Sequence, residues 1–310
     1  MSFINVSVII PVYNAEKFLR KSVESAILLP QVAEVILIED ASPDNALLIC
    51  QQLVEEYNKV KLYRHPNGEN RGASASRNLG LKKSKFPYVA FLDADDYYLK
   101  NRFEQDELIF QSQPDVDGVY NAVGLHYYDD EGREEFNKIF KDADKDFLTT
   151  VTRDDLTQWE LFETLLNINH GYFHTNGITI NKKLLDKTGY FDTTLKLHED
   201  SHLWIRLAYY GNLQAGNIKS AVAIRGVHID NRHTKANAEA KAKFHKSLFD
   251  WAYHNSDVKR DAKVKLLQQY LFSYKSRYRI EQNRLIRGAV YLSNTIELIL
   301  KYPKVITYIK

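Results

Sequence analysis

Short blocks of unbroken apolar residues alternate along the first hundred residues with stretches whose apolar positions return every three or four residues. The first block, VSVIIPV at 6–12, is β-branched and apolar throughout, the mark of a strand covered on both faces. After the loop at Tyr13-Asn14, Phe18, Leu19, Val23, Ala26 and Ile27 recur at helical spacing and predict a helix over 15–29. EVILIE at 34–39 predicts a second buried strand. The turn chemistry of Asp40-Ala41-Ser42-Pro43 then leads into a helix over 45–57. A third strand is expected at 61–64, a helix from Asn70-Arg71-Gly72 to about 83, and a fourth strand at 88–92 that runs into Asp93-Ala94-Asp95-Asp96. Beyond residue 114 the chain is acidic and aromatic and harder to read. Strands are expected near 118–122, 177–181 and 220–227, a short helix at 182–188 and a longer one at 198–210 with Leu203, Leu207 and Tyr210 on one face. From about residue 235 the pattern is helical and rich in Lys, Arg and Tyr.

Strands alternating with helices predict an α/β fold with a mainly parallel sheet flanked by helices. The polar segments after the first, second and fourth strands then share one edge, where open α/β sheets bind their ligands. That placement gives weight to residues that would mean little alone. Asp93 and Asp95 flank a small residue straight after an apolar strand. Their hard oxygens suit Mg²⁺ or Mn²⁺ held together with substrate phosphates, although an Asp-rich turn is the plainer account. Glu39 and Asp40 can accept hydrogen bonds from a ribose or a base, and Asp40 can equally cap a helix. Arg71 and Arg77, with Asn78, lie on or before the third helix and offer phosphate contacts. Glu199 and Asp200, after His198, open a later helix, as capping residues or as a general base. His228, with Arg225, Asn231, Arg232 and His233 nearby, follows the last strand and can complete a metal shell.

Composition narrows the class. Of 310 residues, 44% are hydrophobic and 26% charged, a globular balance. No run of eighteen apolar residues predicts a membrane span, and MSFINVSVII has neither the basic flank nor the cleavage site of a secretory signal. The single cysteine, Cys50, excludes a disulfide framework and a cysteine-rich metal centre, and a cytoplasmic location is expected. Net charge is +2 but unevenly spread. Residues 235–310 carry 16 Lys and Arg against 6 Asp and Glu, so the rest of the chain is acidic. Such a tail can meet an anionic membrane surface or form a solvated helical face. Tyr270, Tyr274 and Tyr278 alternate with basic residues, but a spacing of four makes a packing stripe more readily than a base-stacking platform, and no nucleic-acid partner is expected. Residues 285–300 combine an apolar face with Arg287 and Glu297, as in an amphipathic helix lying on a membrane rather than crossing it.

Taken in order, VSVIIPVYN at 6–14, IEDAS at 38–42, NRGASASRNLG at 70–80 and FLDADD at 91–96 resemble the family 2 glycosyltransferases and their nucleotide-diphospho-sugar transferase (GT-A) fold. GYFD and HED within 189–200, and RGVH at 225–228, are similar to that family's acceptor-side motifs. The resemblance spans about residues 5–230, and implies a GT-A domain over 1–234 followed by a basic helical extension over 235–310. Sugar-nucleotide pyrophosphorylases, on a related sheet, use a glycine-rich loop where this chain has Pro11-Val12-Tyr13-Asn14.

The resemblance also implies roles. Pro11, Tyr13 and Asp40 would contact the base and ribose, with Glu39 standing where the family more often has Asp and Ala41 where it often has Gly. Arg71, Arg77, Asp93, Ala94 and Asp95 would complete the nucleotide-sugar site. Asp95, Asp93 and His228 would hold Mn²⁺ or Mg²⁺. Asp200 would be the catalytic base, supported by Glu199. The implied reaction is an inverting transfer from a nucleotide-sugar, expected to be a UDP-sugar, to a hydroxyl of a glycan or lipid-linked acceptor, at or near the inner face of the cell membrane. The competing expectation is a non-catalytic module that binds sugar nucleotides or glycans, which the presence of Asp93, Asp95 and Asp200 disfavours.

Overall fold

The computed structural model describes residues 3–139, 147–168, 170–229, 231, 238–278 and 299–309. The chain forms two compact units, one of Met1–Thr193 with Leu203–His233, the other of Thr194–His202 with Thr234–Lys310.

In the first unit, β1 (Val6–Val12), β2 (Val32–Glu39), β3 (Val60–Arg64) and β4 (Tyr88–Phe91) run parallel in the order β3-β2-β1-β4. The sheet continues through β8 (Ile178–Asn181), β6 (Gly118–Tyr120) and β9 (Leu213–Ala215). β8 is antiparallel to both β4 and β6, which makes the sheet mixed and mainly parallel. Side chains of β1 alternate between two covered faces, which is why the strand reads as an unbroken apolar run. Val8, Ile10 and Val12 join a core with Leu19, Val23 and Ala26 of α1 (Leu19–Ile27) and Cys50 and Leu53 of α2 (Ala46–Glu56). Ile9 faces the other way, onto α3 (Gly72–Lys83). A Cβ on Gly80 would come within 2.4 Å of Ile9 Cγ2, so only glycine lets α3 lie this close.

The crevice opens at the reversal of strand order, between β1 and β4. Their pairing ends at Ile9 and Phe91, with one further bond from the Leu92 N–H to the Ile9 carbonyl. Pro11 has no N–H to extend that ladder, so the strands part where Asp93 begins.

The predicted elements up to β4 are observed with shifts of a few residues at their ends; the largest is α1, whose first residues form a turn instead of helix. The expected strand at 220–227 is present as β10 (Ala223–Val227), but it builds a separate three-stranded sheet, β5-β10-β7, with β5 (Tyr97–Tyr98) and β7 (Val123–Tyr127). Neither partner strand carries an alternating pattern long enough to be recognised. The remaining helices of this unit include α4 (Glu104–Ser112), α5 (Asp130–Ile139), α6 (Gln158–Asn167), α7 (Leu185–Thr188) and most of α8 (Glu199–Tyr210).

In the second unit α9 (Ala238–His254) packs against α10 (Arg260–Tyr278). Leu248, Phe249, Leu266, Leu267, Tyr302 and Val305 are buried there, and Tyr302 meets Phe249 and Tyr253 edge to face. Tyr270 stacks against Phe249 at 6.3 Å, a packing role. The side chains of Tyr274 and Tyr278, and nearly all of the amphipathic segment expected over 285–300, lie outside the described residues. Among the described residues no helix is long and apolar enough to cross a membrane.

Candidate active site

The C-terminal ends of β1, β2 and β4 carry three groups of polar side chains. At the end of β2 the buried Glu39 accepts the Ser42 N–H on Oε1 and Arg64 Nε on Oε2, both at 2.6 Å. The next residue, Asp40, is also buried and takes the backbone N–H groups of Arg71 (2.7 Å) and Gly72 (2.8 Å) on its two oxygens. Asp40 is thus a cap, but for α3 rather than for the helix that follows it in sequence, and each oxygen keeps a further lone pair for a ligand N–H or hydroxyl. His65 lies beside it, with Nε2 3.1 Å from Ser76 Oγ and 3.6 Å from Asp40 Oδ1. Burial lowers the His65 pKa, against the pull of Asp40. Tyr13 is exposed on the loop after β1, and Pro11 is partly buried at the strand's end.

The two arginines separate. The Arg71 guanidinium is exposed and pairs with Glu69. Arg77 is buried on α3 and donates to Asp93 Oδ1 at 2.8 Å, its guanidinium 5.6 Å from the centre of the Phe191 ring. Burial pushes the Asp93 pKa up, but the Arg77 guanidinium outweighs it and holds the carboxyl below its ordinary range. Asn78 grips the backbone of Phe191 through both ends of its amide.

Asp93-Ala94-Asp95-Asp96 forms a tight turn closed by the Asp96 N–H on the Asp93 carbonyl. The two carboxylates that flank Ala94 face different partners: Asp93 meets Arg77, whereas Asp95 meets His228 and Asn231. Asp95 Oδ2 lies 3.3 Å from His228 Nε2, and Asn231 Nδ2 touches both, at 2.8 and 3.1 Å. Asn231 is held in that orientation because its Oδ1 accepts the His228 N–H at 2.7 Å. The His228 ring stacks on Phe18 at 4.7 Å, and its buried Nδ1 has no hydrogen-bond partner among the described residues. Two ligands in adjacent positions on an octahedral cation at about 2.1 Å would stand roughly 3 Å apart. The Asp95–His228 pair therefore fits a divalent cation such as Mn²⁺ or Mg²⁺, with the Asn231 amide bridging the two donors here. Among the described residues no group of three or more His, Cys, Asp or Glu side chains is gathered for a metal, so substrate oxygens would have to supply much of the shell.

Two residues behind this turn were not singled out from the sequence. Asp96 is buried and accepts the Gly226 N–H at 2.7 Å on Oδ1 and the Asn176 side-chain amide on Oδ2. Burial, then the charges of Asp95 and Asp93, raise its pKa well above the usual value. Asn176 Oδ1 in turn accepts the Asp93 N–H at 3.1 Å, and the Asn176 carbonyl accepts Arg102 Nε at 2.8 Å. A Cβ on Gly226 would lie 2.4 Å from the Asp95 carbonyl oxygen, so the glycine of RGVH is what lets β10 approach the turn. A third acidic residue in DADD and an Asn-Gly before a strand were the available signals, but neither names its partner.

Glu199 and Asp200 belong to the second unit, on the first turn of α8. Asp200 Oδ1 accepts the Ser201 N–H at 2.6 Å and its hydroxyl at 3.3 Å, which leaves Oδ2 without a partner among the described residues. The helix N-terminus favours the ionised carboxylate. His198 precedes it in a left-handed backbone conformation, φ 62°, and burial lowers its pKa.

Residues 7–158 match the family described as Glycosyl transferase family 2. The chain belongs to that family. It is 30% identical over 229 residues to the minor teichoic acid biosynthesis protein GgaA of Bacillus subtilis, an alignment covering 68% of this chain and 45% of GgaA. The chain spans under half the length of that and other bacterial relatives. Its fold is similar to S. aureus TarS 1–349 in complex with UDP-GlcNAc, with a TM-score of 0.66 and 17% identity over 95% of this chain and 81% of the other. It is also similar to the mannosyltransferase PcManGT of Pyrobaculum calidifontis in complex with GDP-Man and Mn²⁺, with a TM-score of 0.52 and 18% identity over 98% and 83%. These neighbours make the α/β sheet and its flanking helices a GT-A glycosyltransferase fold.

Proposed function

We propose that this family 2 glycosyltransferase moves a sugar from a UDP-linked donor to a hydroxyl of a glycan or lipid-linked acceptor, with inversion at the anomeric carbon. The observation that carries the reading is the convergence of Asp95 and His228, 3.3 Å apart, at the C-terminal edge of the sheet beside the Arg77–Asp93 pair. The UDP-GlcNAc held by TarS supports the choice of donor, and the teichoic acid biosynthesis role of GgaA supports a glycan or lipid-linked acceptor.

In this reading Tyr13, Pro11, Glu39 and Asp40 receive the base and ribose, while Arg71 contacts phosphate from its exposed position. Arg77 keeps Asp93 ionised and oriented. Asp95 and His228 would hold a divalent cation, which supplies Lewis-acid stabilisation of the charge that develops on the departing diphosphate. Asp200 takes the proton of the acceptor hydroxyl through Oδ2 as the new C–O bond forms and the bond to the diphosphate breaks, with Glu199 supporting it. No covalent intermediate on the enzyme is required.

The test is a panel of nucleotide-sugars screened for Mn²⁺-dependent release of nucleoside diphosphate. UDP release from one UDP-sugar, lost in Asp200→Asn when an acceptor is supplied, is expected. No release from any donor with either metal would overturn the reading.

The basic segment 235–310 is proposed to bring the enzyme to anionic lipid on the cytoplasmic side of the cell membrane. Flotation with phosphatidylglycerol vesicles but not with phosphatidylcholine vesicles is expected, and equal recovery with both would contradict it.

A further inference from the structure

The segment before β8 contributes a side chain that none of the roles above uses. Because β8 runs antiparallel to β4, with Thr179 opposite Ala90, residues 174–176 lie alongside the turn that begins at Asp93. Asn176 makes that contact explicit through the Asp93 N–H. Two residues earlier, His174 caps the 3-10 turn Thr175–Gly177 by accepting the Asn176 N–H on Nδ1 at 3.2 Å. An imidazole nitrogen that accepts cannot carry the proton, so a neutral ring must carry it on Nε2. Nε2–H has no hydrogen-bond partner among the described residues, and the ring is only partly covered.

The surroundings keep the ring neutral. Burial, then the positive charges of Arg225 and Arg77 against the opposing pull of Asp93, bring the His174 pKa down to about 3. The result is a donor of fixed tautomer and no charge in a cluster that already holds two guanidinium groups. Arg77 already serves an anionic oxygen, that of Asp93. A neutral, directional N–H adds little for a phosphate but distinguishes the position of a hydroxyl or carbonyl oxygen.

We propose that His174 donates a hydrogen bond from Nε2 to an oxygen of the sugar carried by the donor nucleotide, and so helps decide which sugar is accepted. This rests on the nucleotide-sugar reading above. His174 is a specificity-determining residue of the donor site, acting in the ground state and the transition state alike.

Two substitutions separate the nitrogens. His174→Asn places an amide oxygen near Nδ1, keeping the bond from the Asn176 N–H, but has nothing at Nε2. His174→Gln reaches the Nε2 position with an N–H donor. Affinities for UDP, UDP-glucose, UDP-galactose and UDP-N-acetylglucosamine are measured by calorimetry with Mn²⁺ for the wild type and both variants. For the sugar nucleotide the wild type binds most tightly, His174→Asn should weaken binding about tenfold and narrow the spread among the three sugars, with UDP unchanged within twofold. His174→Gln should recover most of the loss. Equal weakening of UDP and UDP-sugar, or no change in either, would overturn the assignment. A wild-type protein that binds neither UDP nor any of the sugars would instead bring down the nucleotide-sugar reading itself, and the assignment with it.

Discussion

Asp96 Oδ1 accepts the Gly226 N–H at 2.7 Å, and that one bond ties the turn after β4 to the strand that leads to His228. The other carboxylate oxygen holds Asn176, which also holds the Asp93 N–H. Both oxygens of Asp96 therefore face donors. Asp96→Asn would set an amide N–H₂ against one of them, a buried mismatch worth about 1–3 kcal/mol. Urea unfolding should report a loss of that size, and half-maximal turnover should require several-fold more Mn²⁺ because His228 is less firmly placed. Unchanged stability and unchanged metal dependence would show that the bond positions nothing.

Arg77 sets the charge state of Asp93. Its guanidinium outweighs burial and keeps the carboxyl below the ordinary range, so Asp93 stays ionised as pH falls through the usual carboxylate region. Arg77→Met removes that support, and the Asp93 pKa must rise. The acid limb of the pH–rate profile should move to higher pH, with turnover at neutral pH down about tenfold or more. An acid limb left where it was would separate Arg77 from the ionisation of Asp93.

Ala41 sits at φ 59°, in the left-handed region, at the position where the resemblance to the family implies that glycine often stands. The strain of about 1–2 kcal/mol for a residue with a Cβ is only partly offset by the extra chain entropy that glycine has when unfolded, about 0.4–1 kcal/mol. Ala41→Gly should raise stability by about 0.5–1 kcal/mol, measured by thermal or urea unfolding. A loss of stability would mean that the Ala41 methyl group makes a compensating contact.

His245, buried on α9, gives a stability that depends on pH. Burial, then Lys241 and His198, lower its pKa to about 4, whereas in the unfolded chain it titrates near 6.5. The folded state thus binds fewer protons between these values. Its contribution is complete above pH 6.5 and is lost as pH falls toward 4, amounting to ~2 kcal/mol by pH 5. His245→Gln should lose less stability than the wild type between pH 7 and pH 5. Parallel curves for the two proteins would assign the acid sensitivity elsewhere.

The sequence made the first half of the fold readable because β1, β2 and β4 are covered on both faces and so appear as pure apolar runs ending in polar turns. The same logic places Asp40, Asp93 and Asp95 at one edge from sequence alone. The second sheet was not readable. β5 is two residues long, and β7 takes its meaning only from β10, about a hundred residues later. Within the site, the unread relationships are all of that kind. Arg77 was expected on phosphate, and the structure sets it on Asp93. Asp96 was the last letter of a motif, and its partners Asn176 and Gly226 lie 80 and 130 residues away. Local pattern reveals which residues can do chemistry, but the pairing of buried donors with acceptors is decided by chain segments distant in sequence.

Asp95 and His228 would hold a divalent cation beside the diphosphate of a bound nucleotide, and calorimetric titration of UDP with and without Mn²⁺, in the wild type and in Asp95→Ala, reads this out. Mn²⁺ should tighten UDP binding by tenfold or more in the wild type and have no such effect in Asp95→Ala. Equal UDP affinity in all four titrations, or an undiminished Mn²⁺ effect in the variant, would contradict it.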